Sequence, residues 1–586
     1  MRLEDYWGIG PKTRELLASA LDVETAIEAI ESGDVRTLTE AGLSRGRATR
    51  ILRRVEGGRA MDVLATRDTR EVYKDLLDVI GRYALTDHAA DRIRLLTPLE
   101  NRDDVRSRLD DVVEARDTWR DLDGETRETV TDAFERYDSV GGGERSAVEV
   151  ARTLTDAGIE TGVFEPLAAF EGEELDAAAD ALATLEPDGS VAEGGDDELD
   201  RLREQLGAAE DLAAETGAVV EAVREEIRTP DAFEEGVLDH VVRETGVDVG
   251  RVREAMPGEA ADARDFVGAT LRTLTDDLRT AVDERTEAVA ADARETIEEN
   301  RKTIDAAVEA VDDIALLLSL ARFALEFDLI RPQFSDDSDV LAVQAARNVT
   351  LEAAGEGVQP VTYAIGEHTI DFPKANAPPS GDRVAVLTGA NSGGKTTLLE
   401  TLAQVQLLAQ MGLPVPAEQA EIGFVDAIVF HRRHASFNAG VLEATLKNVV
   451  PPLSESGHTL MLVDEFEAIT EPGSAADLLH GLVTLTVDRE ALGVFVTHLA
   501  DDLEPLPETA RVDGIFAEGL TPELELEVDY QPRFGTVGRS TPEFIVSRLV
   551  ANADDREERA GFDTLAKAIG QEAVQRTLSD ARWSER

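Results

Sequence analysis

The apolar run Val384-Ala385-Val386-Leu387-Thr388 leads into Gly389-Ala390-Asn391-Ser392-Gly393-Gly394-Lys395-Thr396-Thr397, and that loop into the helix-forming stretch LLETLAQVQLLAQ. No other feature of the 586-residue chain restricts its fold as strongly. The pattern G-x-x-x-x-G-K-[ST] between a buried strand and a helix requires an α/β sheet. Its glycines let successive backbone N–H groups wrap phosphate oxygens. The helix N-terminus adds partial positive charge to the same spot. The whole run Gly389–Thr397 is therefore the candidate nucleotide-binding loop. Within it Lys395 is expected to reach the β- and γ-phosphates and the Thr396 hydroxyl to bind Mg²⁺, so ATP and Mg²⁺ are the expected cofactors.

Two later strand ends supply partners. Leu460-Met461-Leu462-Val463 ends in Asp464-Glu465. A carboxylate at the end of a buried strand can hold the Mg²⁺ shell, and the next one can polarise a water for in-line attack on the γ-phosphate. Asp464 is thus the candidate metal ligand beside Thr396, and Glu465 the candidate base. Leu492-Gly493-Val494-Phe495-Val496-Thr497 ends in His498. In ABC-type ATPases a histidine at this place contacts the γ-phosphate; a lone histidine elsewhere is more often structural. The catalytic set expected is Glu465, Lys395 and His498.

The rest of the chain is largely helical in pattern. Residues 1–57 read as short helices. Residues 58–198 read as a helical core, interrupted at Gly141-Gly142-Gly143 and around Pro166, with an acidic loop, EPDGSVAEGGDDE, at 186–198. Residues 199–335 carry the clearest period. Leu199, Leu202, Leu206, Ala209, Ala213, Thr216, Val220, Val223 and Ile227 step alternately by three and four, a heptad seam that Pro230 ends. Past Pro257-Gly258, a second stripe follows Ile297, Ile304, Val308, Val311, Ala315 and Leu318. The two stripes predict long helices paired antiparallel around an insert at about 229–258; a plain helical bundle satisfies them equally. From 336 to 550 the runs VLAVQAA, RVAVLTG, TLMLVDE and LGVFVTH alternate with helical stretches, which predicts a largely parallel sheet. Residues 551–586 read as a helical tail. The expected fold class is multidomain: α-helical N-terminal and core/lever domains, then an α/β P-loop ATPase domain of the ABC type.

Near the N-terminus, Gly8-Ile9-Gly10-Pro11-Lys12-Thr13 precedes the helical run RELLASAL, and a looser copy follows at Ala41-Gly42-Leu43-Ser44-Arg45-Gly46-Arg47-Ala48. Glycines permit a tight hairpin whose N–H groups point outward at a phosphate. A tandem helix-hairpin-helix module over residues 1–57 is expected, with Gly8, Gly10, Lys12, Arg14, Arg45 and Arg47 as candidate DNA contacts. The competing interpretation is an ordinary connection between two helices.

Composition bounds the setting. The net charge is −61, from 120 acidic against 59 Lys and Arg residues, with acids spread along the whole length. Such a carboxylate-rich surface fits a high-salt cytosol and a halophilic source; avoidance of polyanions is the competing account. High salt screens charge within a few ångströms, so a local patch decides nucleic-acid binding. Salt also weakens phosphate contacts through counterion release, which favours encirclement of DNA over tight ionic grip. The absence of cysteine removes disulfides and thiolate metal sites. No run of eighteen uncharged apolar residues occurs, and MRLEDYWGIG lacks a signal-peptide apolar stretch. A cytoplasmic protein is expected, free or nucleoid-associated, with no membrane partner.

The segment TGANSGGKTTLLETLAQVQLLAQMGLPVPAEQAEIGFVDAIVF, with Pro414-Val415-Pro416-Ala417, resembles the ATPase domain of the MutS family. Asp464-Glu465-Phe466-Glu467-Ala468-Ile469-Thr470-Glu471-Pro472 resembles the acid pair and dimer-interface loop of the second bacterial MutS branch. Phe495-Val496-Thr497-His498 is similar to the family's histidine switch, and Gly538-Arg539-Ser540 to its closing segment. Leu96-Thr97-Pro98-Leu99 with Val105–Asp110 resembles the start of its core and lever. The resemblance implies an archaeal MutS-like homodimer with composite ATP sites. Its levers would span 199–335, its clamp tip 229–258 and its dimerising tail 551–586.

The chain also departs from the family. Asn438, Ala439 and Gly440 open the stretch that matches the trans-acting signature, but Leu442 and Glu443 stand where Ser and Thr are expected. No N-terminal mismatch-reading domain is present. The two F-x-E matches, at Phe233-Glu234-Glu235 and Phe516-Ala517-Glu518, are taken as chance. The small nuclease domain is missing, so no nuclease activity is expected. The resemblance implies an ATP hydrolase that acts as a clamp on double-stranded or branched DNA in repair or recombination, with junctions preferred to mismatches. A ribosome- or RNA-associated ATPase is one alternative. A structural chromosome-organising ABC-type ATPase is another, although thirty helical residues span only about 45 Å, short for such a coil.

Overall fold

The computed structural model describes the chain apart from residues 1–2, 4–5, 59, 187, 227–231, 337–338, 390–393, 434–438, 456, 467–471, 521–525, 539–541, 554, 572–573 and 578–586. Contacts divide it into two compact units, residues 1–127 with 314–586, and residues 128–313.

In the first unit the strands in chain order are β1 (Gln333–Ser335), β2 (Val340–Ala346), β3 (Val361–Gly366), β4 (Val384–Gly389), β5 (Gln419–Gly423), β6 (Ala427–His431), β7 (Thr459–Asp464), β8 (Leu492–Val496), β9 (Ala510–Leu520) and β10 (Leu526–Phe534). They form a six-stranded sheet, β10-β9-β4-β8-β7-β6, and a four-stranded sheet, β1-β5-β2-β3. In the larger sheet β9, β4, β8, β7 and β6 run parallel, and β10 closes it antiparallel to β9. The run VLAVQAA is β2 and belongs to the smaller sheet, antiparallel to β3 and β5.

β4, β7 and β8 are buried along their full lengths, which fits strands covered on both faces. Alternation divides them between two cores. Ala385 and Leu387 pack with the helix Lys395–Gln410, whereas Val384 and Val386 pack with Val449 and Leu453 of the helix Ala439–Glu455 and with Leu479 and Val483 of the helix Pro472–Asp488. The helix Lys395–Gln410 is buried nearly all round, and the amide groups of its glutamines donate to partners inside the protein. Gln404 bonds Asn348 and Thr350, Gln406 the Gly423 carbonyl, and Gln410 the Val425 carbonyl. That keeps the helix fixed beneath the loop that precedes it.

The open edge of β6 is covered from far away in sequence. Leu64 forms a parallel bridge with Ile428. Thr66 donates to the Phe430 carbonyl at 2.6 Å; Thr69 donates to the Ile428 carbonyl at 2.9 Å and accepts from the Phe430 amide. Two hydroxyls thus take over ladder positions that an exposed edge would leave to water or to another chain.

The N-terminal helices Pro11–Ala20, Val23–Glu31, Val35–Glu40 and Arg45–Gly57 surround their own core of Leu17, Ile30, Leu38 and Ile51. Near the C-terminus Val546 and Val550 of the helix Pro542–Asn552 pack with Ala566 of the helix Arg556–Ile569.

In the second unit the heptad stripe is divided. One helix covers Asp197–Ala214 and a second Thr216–Glu226. The break follows from local chemistry: the Thr216 hydroxyl bonds back to the Ala213 carbonyl, and Gly217 follows at once. Both helices pack against Ala263–Glu299, with Leu202, Ala209, Val220 and Val223 meeting Phe266, Val267, Leu271, Leu274 and Leu278 in one core. The Arg285–Asp196 and Arg279–Glu210 ion pairs, and Gly217 beside Arg264, run in opposite chain directions, so the pairing is antiparallel. Between them lie the helices Phe233–Thr245 and Val249–Ala255. Ile227 and Pro230 lie outside the described residues. The second stripe is likewise split at Asn300, between Ala263–Glu299 and Arg301–Glu326.

Candidate nucleotide site

Four neighbouring parallel strands end on the same side of the larger sheet, and each delivers part of one polar cluster. β4 leads to the phosphate loop, β7 ends in Asp464 and is followed by Glu465, β8 precedes Thr497 and His498, and β6 precedes Arg432 and Arg433. The carboxyl ends of parallel strands are where open α/β sheets bind ligands.

Of the loop, Ala390, Asn391, Ser392 and Gly393 lie outside the described residues. Its two ends are defined. Gly389 has φ +133°, and a β-carbon there would collide with the Ile515 carbonyl oxygen. Gly394 has φ +68° and serves as the N-cap of the helix Lys395–Gln410. Lys395 is buried and its Nζ donates to the Gly389 carbonyl at 3.0 Å, folded back across the mouth of the loop. Thr397 begins the next turn and gives its carbonyl to Thr401.

The Thr396 hydroxyl donates to Asp464 Oδ2 at 2.6 Å. The two candidate metal ligands therefore already touch. A hydroxyl and a carboxylate on rigid elements, completed by phosphate oxygens and water, are the donor set that Mg²⁺ takes at nucleotides. Among the described residues no group of three or more His, Asp or Glu side chains could hold a metal on its own.

Glu465 stands just past β7 with φ +43°, a left-handed conformation that is uncommon for a residue with a side chain. Its N–H donates to the Val496 carbonyl of β8 at 3.0 Å, which holds that conformation. Both carboxylate oxygens are engaged: His498 Nε2 lies 3.1 Å from Oε1, and Arg433 donates to Oε2 at 2.6 Å. The base candidate and the histidine are thus in direct contact, and His498 is fixed through Thr497, whose N–H donates to the Leu387 carbonyl of β4.

Three features of this site have no counterpart in the motif reading. Arg433 follows β6 in the run His431-Arg432-Arg433, visible in the sequence but matching no template. Tyr530 of β10 lies so close that a β-carbon on Gly394 would meet its Cδ1 at 2.6 Å; it stands in the stretch of β10 between Asp529 and Arg533 where the register against β9 shifts. Behind the loop, the Tyr363 hydroxyl donates to Asp513 at 2.8 Å and Arg511 Nε to the same carboxylate at 3.0 Å, all three buried. Burial pushes the Asp513 carboxyl up against the pull of Arg511, and burial holds the Tyr363 hydroxyl well above its ordinary value. Thr388 bonds the Asp513 carbonyl and receives the Gly538 amide, tying this network to the strand that enters the loop.

Arg432 braces the site from outside. It pairs with Glu400 of the loop helix at 2.8 Å and with Glu71 at 3.5 Å, and its N–H donates to Asp68. Burial raises the Glu400 carboxyl, with Arg432 pulling the other way.

The trans-signature candidates are only partly placed. Asn438 lies outside the described residues, and Ala439 and Gly440 begin the helix Ala439–Glu455. Glu443 forms an exposed pair with Lys447 at 2.6 Å. Arg539 and Ser540 lie outside the described residues, as does 467–471 of the interface segment.

The DNA-contact candidates occupy two similar turns. Gly8 has φ +82° and Gly42 φ +98°, each followed by a buried residue, Ile9 or Leu43, and then a helix start. Neither start has a side-chain cap, at Gly10 or at Ser44, whereas the intervening helices are capped by Asp22 and Asp34. Lys12 and Arg14 are exposed beside the first turn. Arg45 pairs with Asp91, and Arg47 donates to Thr13 Oγ1 at 2.5 Å, so both are engaged within the chain. Residues 1–57 contain nine Lys and Arg against ten acids, close to neutral in a chain of net charge −61.

Residues 385–501 match the family model of MutS domain V. The chain is 38% identical over 270 residues to the DNA-binding protein MutS2 of Pyrococcus furiosus, covering 45% of this chain and 46% of that one. It is 25% identical over 415 residues to the endonuclease MutS2 of Pelotomaculum thermopropionicum (67% and 49%), and 32% identical over 233 residues to the DNA mismatch repair protein MutS of Granulibacter bethesdensis (38% and 23%). The chain thus matches less than half the length of each of these relatives. No helix among the described residues is long and apolar enough to cross a membrane. The strand-end cluster of Lys395, Thr396, Asp464, Glu465 and His498 therefore sits in a segment that matches MutS domain V, in a chain similar to MutS and MutS2 proteins.

Proposed function

We propose that the chain is a DNA-binding ATPase of the MutS kind, working as a homodimeric clamp on branched or otherwise non-standard DNA in repair or recombination. The observation that carries this reading is the Thr396–Asp464 contact of 2.6 Å, with Glu465 and His498 on the adjoining strand ends. It supports hydrolysis of ATP within the segment that matches MutS domain V.

In this reading Lys395 leaves the Gly389 carbonyl for the β- and γ-phosphates, and loop amides take the remaining oxygens. Thr396 and Asp464 hold Mg²⁺, which supplies neutralisation of phosphate charge. Glu465 accepts the proton of the attacking water, and His498 stands against the γ-phosphate. Asn438, Ala439 and Gly440 reach the partner's site. The helices of 199–335 act as levers with a tip at 229–258, and 551–586 as the dimerising tail. The turns at Gly8–Gly10 and Gly42–Ser44 grip DNA backbone, and their near-neutral module carries little of the charge that would repel a polyanion from the rest of this acidic chain.

The test is ATP turnover by the full chain in molar KCl, alone and with duplex, four-way-junction or single-stranded DNA, beside Glu465→Gln. Stimulation by junction or duplex that Glu465→Gln abolishes is the expected result. Turnover indifferent to every DNA would overturn the DNA-coupled reading and favour a ribosomal target.

A further inference from the structure

The second unit contains a cavity that no sequence motif marks. It lies among the helices Gly124–Ser139, Glu144–Asp156 and Gly172–Thr184 and measures about 400 Å³. Sites for small molecules span about 300–1,000 Å³. Much of the lining is apolar: Ala133, Val140, Val150, Ala179 and Ala183 contribute to it, together with Tyr137. Its charge is opposite to that of the molecule. Arg136, Arg145 and Arg152 line it against one acid, Glu149, whereas the whole chain has 120 acids to 59 Lys and Arg residues. Glu149 is engaged with Arg152 at 2.8 Å, and Asp180 and Asp176 stand 3.6 and 3.8 Å from the same guanidinium. The other two arginines have no carboxylate partner among the described residues. Arg136 Nε donates to the Asp132 carbonyl at 3.3 Å, and Arg145 has neither a hydrogen-bond nor an ion-pair partner among the described residues.

Ser146 adds a second, independent sign of a ligand. It is 7% exposed, and its hydroxyl has no hydrogen-bond partner among the described residues. That hydroxyl is not sealed in the protein; it opens on the cavity that the residue lines. A buried polar group is ordinarily partnered, so this one is placed to meet a polar atom inside the cavity. Its helix starts at the N-cap Gly143 with no side-chain cap, and Glu144, the acid of the first turn, is paired with Arg301 at 2.8 Å. Gly142, with φ +55°, lies against Tyr137, where a β-carbon would meet Cε1 at 2.8 Å, so glycine lets the turn close down on that ring. Unpaired guanidinium groups and a free hydroxyl beside an apolar wall match a charged head on an apolar body. We propose that this cavity binds a small organic anion. Its charged group meets Arg136, Arg145 and Ser146, and its apolar body lies on Tyr137, Val150 and Ala179. The site is independent of the ATPase reading, because every residue that forms it belongs to the second unit.

Fluorescence titration of the full chain with two dyes of similar shape tests the site. One is 1-anilinonaphthalene-8-sulfonate, an aromatic anion, and the other N-phenyl-1-naphthylamine, its uncharged counterpart. The parent chain is expected to bind the sulfonate more tightly than the neutral dye. Arg145→Ala should weaken the sulfonate by roughly 10-fold, the worth of a charge-assisted hydrogen bond, and leave the neutral dye within about twofold. The fold does not depend on this side chain, since Arg145 has no partner to lose. Arg145→Lys should restore part of the difference, because it returns the charge without the fork. Ala183→Leu, at a half-buried position, narrows the cavity and should weaken both dyes. Equal affinity of the parent for the two dyes overturns the proposal. So does an Arg145→Ala chain that binds the sulfonate as tightly as the parent or loses both dyes alike, and so does an Ala183→Leu chain that binds both dyes unchanged.

Discussion

The hydroxyl of Thr396 and the carboxylate of Asp464, 68 positions apart, meet at 2.6 Å, one at the start of the loop helix and the other at the end of β7. One sits on a buried helix and the other on a strand of the larger sheet, so the contact fixes the distance between the phosphate loop and the acid pair. Thr396→Ala leaves Asp464 without this partner and removes a magnesium ligand in the proposed site. Expected is a rise in the Mg²⁺ concentration needed for half-maximal nucleotide binding, with unfolding unchanged. An unchanged Mg²⁺ requirement in a titration would count against the assigned metal role.

Glu465→Gln keeps the side chain's shape and its contact with His498 but removes its capacity to accept a proton. Turnover should fall by roughly 10²- to 10⁴-fold, the usual contribution of a positioned base. Binding of ATP should persist, and measured affinity beside single-turnover rates distinguishes loss of chemistry from loss of site.

Two glycines far from each other in the chain differ in what surrounds them. Gly538 packs on the loop strand so closely that a β-carbon would lie 2.9 Å from Gly389 Cα and 2.9 Å from the Thr388 carbonyl oxygen, both backbone. Gly46, at the start of the helix Arg45–Gly57, has open space within 4 Å. Gly538→Ala should destabilise the chain by about 1–3 kcal/mol and weaken nucleotide binding, whereas Gly46→Ala should change neither. Chemical denaturation of the two variants checks the contrast.

The strand-end motifs were legible because the chemistry lies in local order: a run of apolar residues followed by Gly-Gly-Lys-Thr, by Asp-Glu, or by Thr-His. Which side chains complete them was not. Arg433 meets Glu465 only because β6 and β7 are neighbours, an adjacency no local pattern encodes. Thr66 and Thr69 cover β6 from more than 350 positions away, inside a stretch that reads as ordinary helical core. The heptad stripe was legible as an apolar face but not as two helices, because Thr216 and Gly217 interrupt the backbone without interrupting the period. The basic side chains of the second N-terminal turn were legible as charge, yet Arg45 and Arg47 are engaged with Asp91 and Thr13.

That last point separates the DNA candidates. Lys12 is exposed beside the first turn, whereas Arg47 bridges the two turns through Thr13. If the module grips phosphates, Lys12→Ala should lower the slope of log affinity against log salt by about one without changing stability. Arg47→Ala should lower the thermal stability of the module as well as its affinity. A salt slope unmoved by Lys12→Ala would remove that residue from the interface.

The Tyr363–Asp513–Arg511 network makes the last prediction one of pH. Burial raises the Tyr363 hydroxyl well above its ordinary value, so the folded chain keeps that proton where an unfolded chain loses it. A group raised in the folded state contributes stability that is complete below its unfolded value, near 10 for tyrosine. That contribution fades as pH climbs from there towards the folded value. Across that window the unfolded state binds one proton fewer, and unfolding free energy should fall by about 1.4 kcal/mol per pH unit from this residue alone. Tyr363→Phe removes the proton and hence this part of the slope, at the cost of a lower plateau near neutrality, because Asp513 loses a donor in a buried place. Urea unfolding of both chains between pH 8 and 11 should therefore give curves that approach one another as pH rises. Parallel curves would show that Tyr363 ionises in the folded state, and that the network behind the phosphate loop is open to water.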